Sequence, residues 1–134
     1  TDTGPALLNG APAKVSSRRR MAEAIVALGF AKTRRSLERM LPVFHELVHR
    51  VRKIRLMGAA ALSMTYVASG RFEAYVESGV RLWDIAAGGL IVQRAGGVFW
   101  RRAIDPNHTY ELVLSPPAFQ RTLHRLNKTS DPRA

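Results

Sequence analysis

The chain has 134 residues, of which 46% are hydrophobic and 23% are charged, a balance typical of one globular domain with a buried core. It contains no cysteine, which excludes disulfides and thiolate metal sites and fits a reducing cytoplasm. No apolar run reaches the roughly 18 residues that a membrane span needs, and the opening residues lack a signal-peptide pattern. The first residue is Thr1, so we expect the sequence to start within a longer protein.

The formal net charge is +11, and many of the arginines fall in two clusters, at residues 18–20 and 50–55. This charge favours an anionic partner, which could be a nucleic acid, a phosphorylated metabolite or an acidic protein. A solvated basic surface explains it equally well. Aromatic residues do not interleave with residues 18–20, so a solvated loop is favoured there over a nucleic-acid patch.

The first thirty residues predict a hairpin followed by a strand. Asn9-Gly10 lies between short apolar pieces and predicts a hairpin over residues 5–15. After a polar loop, residues 22–30 form an apolar run that favours a buried strand ended by Gly29.

A helical period runs through residues 33–52, with Thr33 as the predicted N-cap. Pro42 either kinks this helix or opens a second one. Residues recurring at three- and four-residue steps predict one apolar stripe, formed by Leu37, Leu41, Phe44, Val48 and Val51.

The remaining elements alternate between strand and helix. The first pair is a strand at 54–57 closed by Gly58 and a helix at 59–69 ended by Gly70. The second pair is a strand at 72–77 before a turn at Gly79 and a helix at 84–95 ended by Gly96-Gly97. A strand at 98–100, a loop at 101–109, a strand at 110–114, a helix at 118–127 and a frayed tail from Lys128 follow. The helix at 84–95 is apolar on nearly every side, so we expect burial on several faces. The alternation predicts an α/β fold of strand–helix layers with a largely parallel core sheet.

Candidate site residues fall where predicted strands end and helices begin. Ligands of open α/β sheets bind there, and the amides after Gly58 could hold an anion, with Arg55 close by in sequence. Glu77 ends the next predicted strand and Asp84 begins the following helix. A carboxylate at that place suits Mg²⁺ beside a phosphate. The alternative is that Asp84 only caps its helix and Glu77 is a surface acid.

The segment His45-Glu46-Leu47-Val48-His49 matches the H-E-x-x-H pattern of zinc peptidases, with Glu73 as a candidate third ligand. No independent feature supports this interpretation, and Arg50 and Arg52 would oppose a dication. Histidines bordering an apolar stripe are the favoured explanation.

Several segments, taken in order, resemble the carboxyl-terminal half of inositol monophosphatase-type phosphatases. The specific signature is Trp83-Asp84-Ile85-Ala86-Ala87-Gly88, and the similarity also covers residues 6–10, 15–16, 27–30, 58–61, 67–71, 75–77 and 95–97. The resemblance implies an αβαβα sandwich of which residues 1–134 are the carboxyl-terminal α/β portion. Its parts would be the central hairpin and strand at 1–30, the α/β subdomain at 31–128 and a tail at 129–134.

The resemblance further implies a Mg²⁺-dependent, lithium-sensitive phosphomonoesterase that acts on a small phosphorylated metabolite, has no membrane association and is a homodimer at full length. By position, Asp84 would be the catalytic metal ligand, Gly58 and Ala59 would face the substrate, Glu77 would meet a sugar or inositol hydroxyl, and Arg55 would be a basic substrate contact. The sequence departs from the family at Ala59, where Ser or Thr is usual. It also lacks the amino-terminal glutamate and Asp-Pro-Ile/Leu-Asp-Gly-Thr motif that supply the other Mg²⁺ ligands. We therefore expect an inactive fragment of a phosphatase, or alternatively a degenerate module that binds RNA or protein.

Overall fold

The computed structural model describes residues 3–129 of the chain. In this range the elements are β1 (Leu7–Leu8), β2 (Ala11–Pro12), a 3₁₀ turn (Met21–Glu23), β3 (Ile25–Phe30), α1 (Arg34–Val48), β4 (Lys53–Arg55), α2 (Ala60–Ala68), β5 (Ala74–Arg81), α3 (Leu82–Arg94), β6 (Val98–Ala103), β7 (Thr109–Ser115) and α4 (Pro117–Thr129). The predicted frayed tail starts too early at Lys128, because α4 continues to Thr129, and residues 130–134 lie outside the described range.

Five strands form one sheet in the order β4-β3-β5-β7-β6. Strand β3 runs parallel to both β4 and β5, whereas β7 pairs antiparallel with β5 and β6. The predicted α/β class is confirmed. The sheet is mixed: β4, β3 and β5 form the parallel part that was predicted, and β7 and β6 add two antiparallel pairings.

The sheet has a hydrophobic core on each face. Helices α1 and α4 cover one face with side chains such as Leu47 and Phe119, while α2 and α3 cover the other with Met64 and Ile85. These four side chains are 0–1% exposed, and each such burial contributes about 1.5–3 kcal/mol of favourable transfer free energy. Along residues 3–129, no helix has both the length and the apolar character required to traverse a bilayer.

The hairpin predicted at Asn9-Gly10 is confirmed. β1 and β2 pair antiparallel, and the turn residues have φ values of 52° and 83°, as the twist of a two-residue hairpin requires. The Val15 amide donates to the Ala95 carbonyl at 3.0 Å, so the segment after the hairpin is tied to the end of α3.

Helix α1 begins after Thr33 as predicted, and the Thr33 hydroxyl accepts a hydrogen bond from the Ser36 amide. Pro42 is accommodated inside one helix instead of opening a second. The predicted apolar stripe is not the buried face, because Leu41 is 62% exposed and Val48 46%. The side chains that face the sheet belong to a neighbouring row: Ser36, Arg39, Met40, Val43 and Leu47.

The prediction that Gly29 and Gly79 end strands is wrong. Gly29 lies within β3, and Gly79 occupies a bulge within β5 with φ of 97°. Strand β5 therefore continues to Arg81, and Glu77 lies in the middle of this strand instead of at its end. Bulges bend a strand and redirect its side chains.

A buried carboxylate fastens the start of β5 to the chain that leads into β3. Glu73 is 0% exposed and accepts hydrogen bonds from Ser16 Oγ at 2.9 Å, Arg18 Nη1 at 3.0 Å and the Ile25 amide at 2.6 Å. Arg18 is thus a structural partner, although sequence analysis placed it in a solvated loop.

We expect Glu73→Ala to lower the free energy of unfolding by about 3 kcal/mol, because it leaves the Ile25 amide and Arg18 without their buried acceptor. Urea denaturation followed by circular dichroism measures this loss. The matched control is Glu23→Ala, which removes an exposed 3.8 Å pair with Arg20 and should change stability by less than about 0.5 kcal/mol. Equal effects of the two variants would contradict the anchoring role of Glu73.

Candidate active site

A cavity of about 560 Å³ opens where α2 and α3 begin beside β3 and β5. Four of the five site residues predicted from sequence line it: Gly58, Ala59, Glu77 and Asp84. The structure therefore brings together residues that lie up to 26 positions apart in the chain.

The N-terminus of α2 forms one side of the cavity. Gly58 has φ of 71°, which favours glycine, and Ala59 is the N-cap with extended backbone and no side-chain hydrogen bond. The first amides of a helix lack intrahelical acceptors. Because Ala60 and Ala61 also line the cavity, these amides form a site suited to an anion.

Glu77 is held from two sides. The Tyr75 hydroxyl donates a hydrogen bond to Glu77 Oε1, and Tyr75 is 1% exposed. Gly29 is the register partner of Glu77 on β3, and a Cβ atom at Gly29 would overlap Glu77 Oε1. A larger residue at Gly29 would thus displace the Glu77 carboxylate from its present position beside the Tyr75 hydroxyl. The sequence alone did not indicate this role, because an isolated glycine is normally taken as a breaker.

Burial raises the pKa of the Glu77 carboxyl above its ordinary value, and the charge of Asp84 raises that pKa further. The hydrogen bond from Tyr75 acts in the opposite direction. Burial and the neighbouring Glu77 also raise the pKa of Tyr75, so this hydroxyl remains a donor. Perturbed carboxylates in a cleft are characteristic of functional sites.

Asp84 lies in the first turn of α3, while Arg81 occupies the cap position and makes no side-chain cap bond. Asp84 is exposed and lies near Glu77. The positive end of the α3 dipole is next to its carboxylate.

Arg55 does not belong to the set that lines the cavity. It is exposed on β4, an edge strand, and its guanidinium donates to the Ile54 carbonyl at 3.2 Å. The arginine that does line the cavity is Arg81, whose Nη1 donates to the Asn107 carbonyl at 2.9 Å and whose guanidinium lies 5.8 Å from the centre of the Trp83 ring. The sequence could have identified Arg81 as a cavity residue because it lies three positions before Asp84.

Asp84 and Glu77 offer carboxylate oxygens, the donor type that Mg²⁺ prefers. Across residues 3–129, no three His, Cys, Asp or Glu side chains come together as a metal site. The chemistry of the donor set fits Mg²⁺, but these residues alone could hold only one side of such an ion.

The zinc-peptidase interpretation of residues 45–49 is wrong. His45 and His49 are exposed on α1, on the sheet face opposite α2 and α3. Glu73, the suggested third ligand, is fully buried and already bonded to Ser16, Arg18 and Ile25.

Comparison with known proteins gives the family. The model of the inositol monophosphatase family matches residues 2–126. The chain belongs to the inositol monophosphatase family. Among relatives, it is 41% identical over 96 residues to the Nus factor SuhB of Pseudomonas aeruginosa and 38% identical over 94 residues to the inositol-1-monophosphatase of Synechocystis sp.. Each match covers 69% of this chain but only 35% and 33% of the respective relative.

Solved structures of the family share the fold. The extragenic suppressor protein suhB from Bartonella henselae superimposes with a TM-score of 0.85 at 29% identity, covering 94% of this chain and 50% of that protein. The inositol monophosphatase from Anabaena gives 0.78 at 26% identity, covering 92% and 50%. The chain therefore spans about half the length of these structures and about a third of the curated relatives.

We expect Glu77→Gln to stabilise the chain increasingly as the pH rises, measured by urea denaturation in the presence of a chelator. Glu77 has a raised folded-state pKa, so its protonated form is favoured by folding. The wild-type free energy of unfolding should then fall relative to the variant from about pH 4.3, the ordinary glutamate pKa, up through the raised pKa. The amide still accepts the Tyr75 hydroxyl, so geometry is kept.

Glu38→Gln is the control for this experiment, because Glu38 is exposed and pairs with Arg34 on the surface of α1. Its effect should not vary in the same way with pH. If the stabilisation by Glu77→Gln is constant, or falls as the pH rises, the raised pKa assigned to Glu77 is contradicted.

Proposed function

We propose that this chain is the carboxyl-terminal half of a Mg²⁺-dependent phosphatase that hydrolyses a small phosphate monoester such as inositol monophosphate. The supporting observation is that the α2 start, Glu77 and Asp84 line one cavity. An anion-binding helix start beside a free carboxylate is the pairing that a phosphate and a hard divalent cation need.

In this proposal each group has a separate task. The amides after Gly58 orient the phosphate, Glu77 accepts a hydrogen bond from a sugar or inositol hydroxyl, and Asp84 is one ligand of the metal. The bound metal would neutralise the phosphate and activate the attacking water. Ala59 supplies no hydroxyl at the cap, so substrate contact at that point is limited to its backbone. Arg81 takes the place in the cavity that sequence analysis gave to Arg55.

The proposal includes the other half of the enzyme. Helices α2 and α3 present exposed apolar side chains on their outer surface, including Leu62 at 40%, Trp83 at 69% and Leu90 at 39%. Large apolar side chains exposed on two adjacent helices favour a partner over this surface. An amino-terminal half would cover it and bring the remaining metal ligands, so we propose that the isolated chain is inactive. The full-length enzyme is proposed to be a cytoplasmic, lithium-sensitive homodimer.

The isolated chain should release no phosphate from inositol monophosphate with Mg²⁺, and Asp84→Asn in the full-length parent should reduce turnover by at least about 100-fold. The reason is that a metal ligand contributes several kcal/mol to transition-state stabilisation. Phosphate release measures both.

Glu38→Gln in the parent is the matched control, since Glu38 is an exposed carboxylate on α1, and it should retain full turnover. Mg²⁺-dependent phosphate release by the isolated chain would overturn the claim of inactivity. Normal turnover of a folded Asp84→Asn parent would overturn the assignment of the site.

The alternative is a non-enzymatic module that binds RNA or a protein through its basic surface. Two observations favour keeping it: the net charge of +11, and the name Nus factor carried by several relatives. Four exposed basic residues lie together in sequence: two follow α1 and two lie on edge strand β4. They are Arg50, Arg52, Lys53 and Arg55. RNA binding that weakens steeply with added salt, together with an inactive parent, would select this alternative.

A further inference from the structure

Two histidines remain outside the proposed phosphatase site. His45 and His49 lie one turn apart at the end of α1, where residues four apart share a helix face. Both are exposed, and their ring centres are 5.1 Å apart with the rings inclined at 70°. The helix lies on the sheet face opposite α2 and α3, so this pair is independent of the site at Asp84.

The spacing of the two rings suits chelation. An ion at about 2.1 Å from one nitrogen of each ring would keep the two ring centres roughly 4.5–5.3 Å apart, the range between square-planar and tetrahedral coordination. The observed separation of 5.1 Å lies in this range, so the ring spacing permits both imidazoles to bind one ion. The helical backbone sets the distance between His45 and His49, which are four residues apart.

The charges around the pair act on a bound cation in both directions. His45 lies in the last turn of α1 and His49 is the C-cap residue, beside carbonyls that carry partial negative charge. Arg52, which is exposed, disfavours a dication and lowers the affinity. The nearest arginine in sequence, Arg50, is 3.8 Å from the Glu46 carboxylate, which partly offsets its charge.

We propose that His45 and His49 form a two-ligand surface site for a borderline transition-metal ion, with Cu²⁺ bound more tightly than Ni²⁺ or Zn²⁺. Imidazole nitrogen suits these ions, and the order follows their general affinity series. Mg²⁺ and Ca²⁺ require oxygen ligands and are rejected. Since no third protein ligand is present within residues 3–129, water fills the other positions and the ion exchanges freely. The site therefore differs from a zinc peptidase centre.

The test is titration of the 134-residue chain with Cu²⁺ alone in a non-coordinating buffer, followed by calorimetry and by paramagnetic broadening of histidine ring signals in NMR. We expect the His45 and His49 signals to broaden first. The variants His45→Gln and His49→Gln should each weaken binding by about tenfold or more, because each removes one of two ligands. Both side chains are exposed, so the fold should be retained.

His108→Asn is the matched control, because His108 is also exposed but lies in the loop before β7. Asparagine tolerates its φ of 59°. This variant should bind Cu²⁺ as the wild type does, and Zn²⁺ should raise the unfolding temperature of the control but not of His49→Gln. Unchanged Cu²⁺ affinity in His49→Gln, or broadening centred on other residues, would overturn the proposal.

Discussion

The two-sided pairing of β5 is the constraint on which the candidate site depends. This strand is hydrogen-bonded to β3 on one side and β7 on the other, and its alternate residues belong to two different cores. Tyr75 and Glu77 share the face that carries α2 and α3. Because side chains alternate along a strand, a shift of β5 by one residue would move both to the opposite core. Glu73, bonded to the segment ahead of β3, opposes such a shift.

Helix α3 leaves apolar surface exposed beside the candidate site. One of its faces, with Ile85 and Val92, is buried against the sheet, yet Trp83 and Ile91 on its outer surface remain exposed. The predicted burial on several faces is met in part: besides the sheet-facing side, α3 packs closely through Gly88 against Met64 of α2, whereas the side that carries Ile91 stays exposed. A further layer over α2 and α3 would bury the remaining apolar surface and close the cavity around Asp84.

Local signals predicted most elements, whereas tertiary contacts decided the details that the sequence missed. Helix capping by Thr33 and the turn at Asn9-Gly10 involve only residues close in sequence, so both could be predicted without knowledge of tertiary contacts. The buried face of α1 was not, because apolar residues occupy two adjacent rows and only packing against the sheet selects Met40 over Leu41. Gly29 was misassigned for a similar reason, since the carboxylate that needs its space lies on another strand.

The electrostatics of the cavity indicate what would complete it. Burial and the charge of Asp84 raise the pKa of Glu77, while the Arg81 guanidinium is engaged with the Asn107 carbonyl and lies near the Trp83 ring. A divalent cation at Asp84 would reverse the local field, because a bound ion is usually the largest charge in its site. Glu77 would then be held ionised as an acceptor for a substrate hydroxyl. Metal binding at Asp84 would thus favour hydroxyl recognition by Glu77, because the two carboxylates are close enough to interact electrostatically.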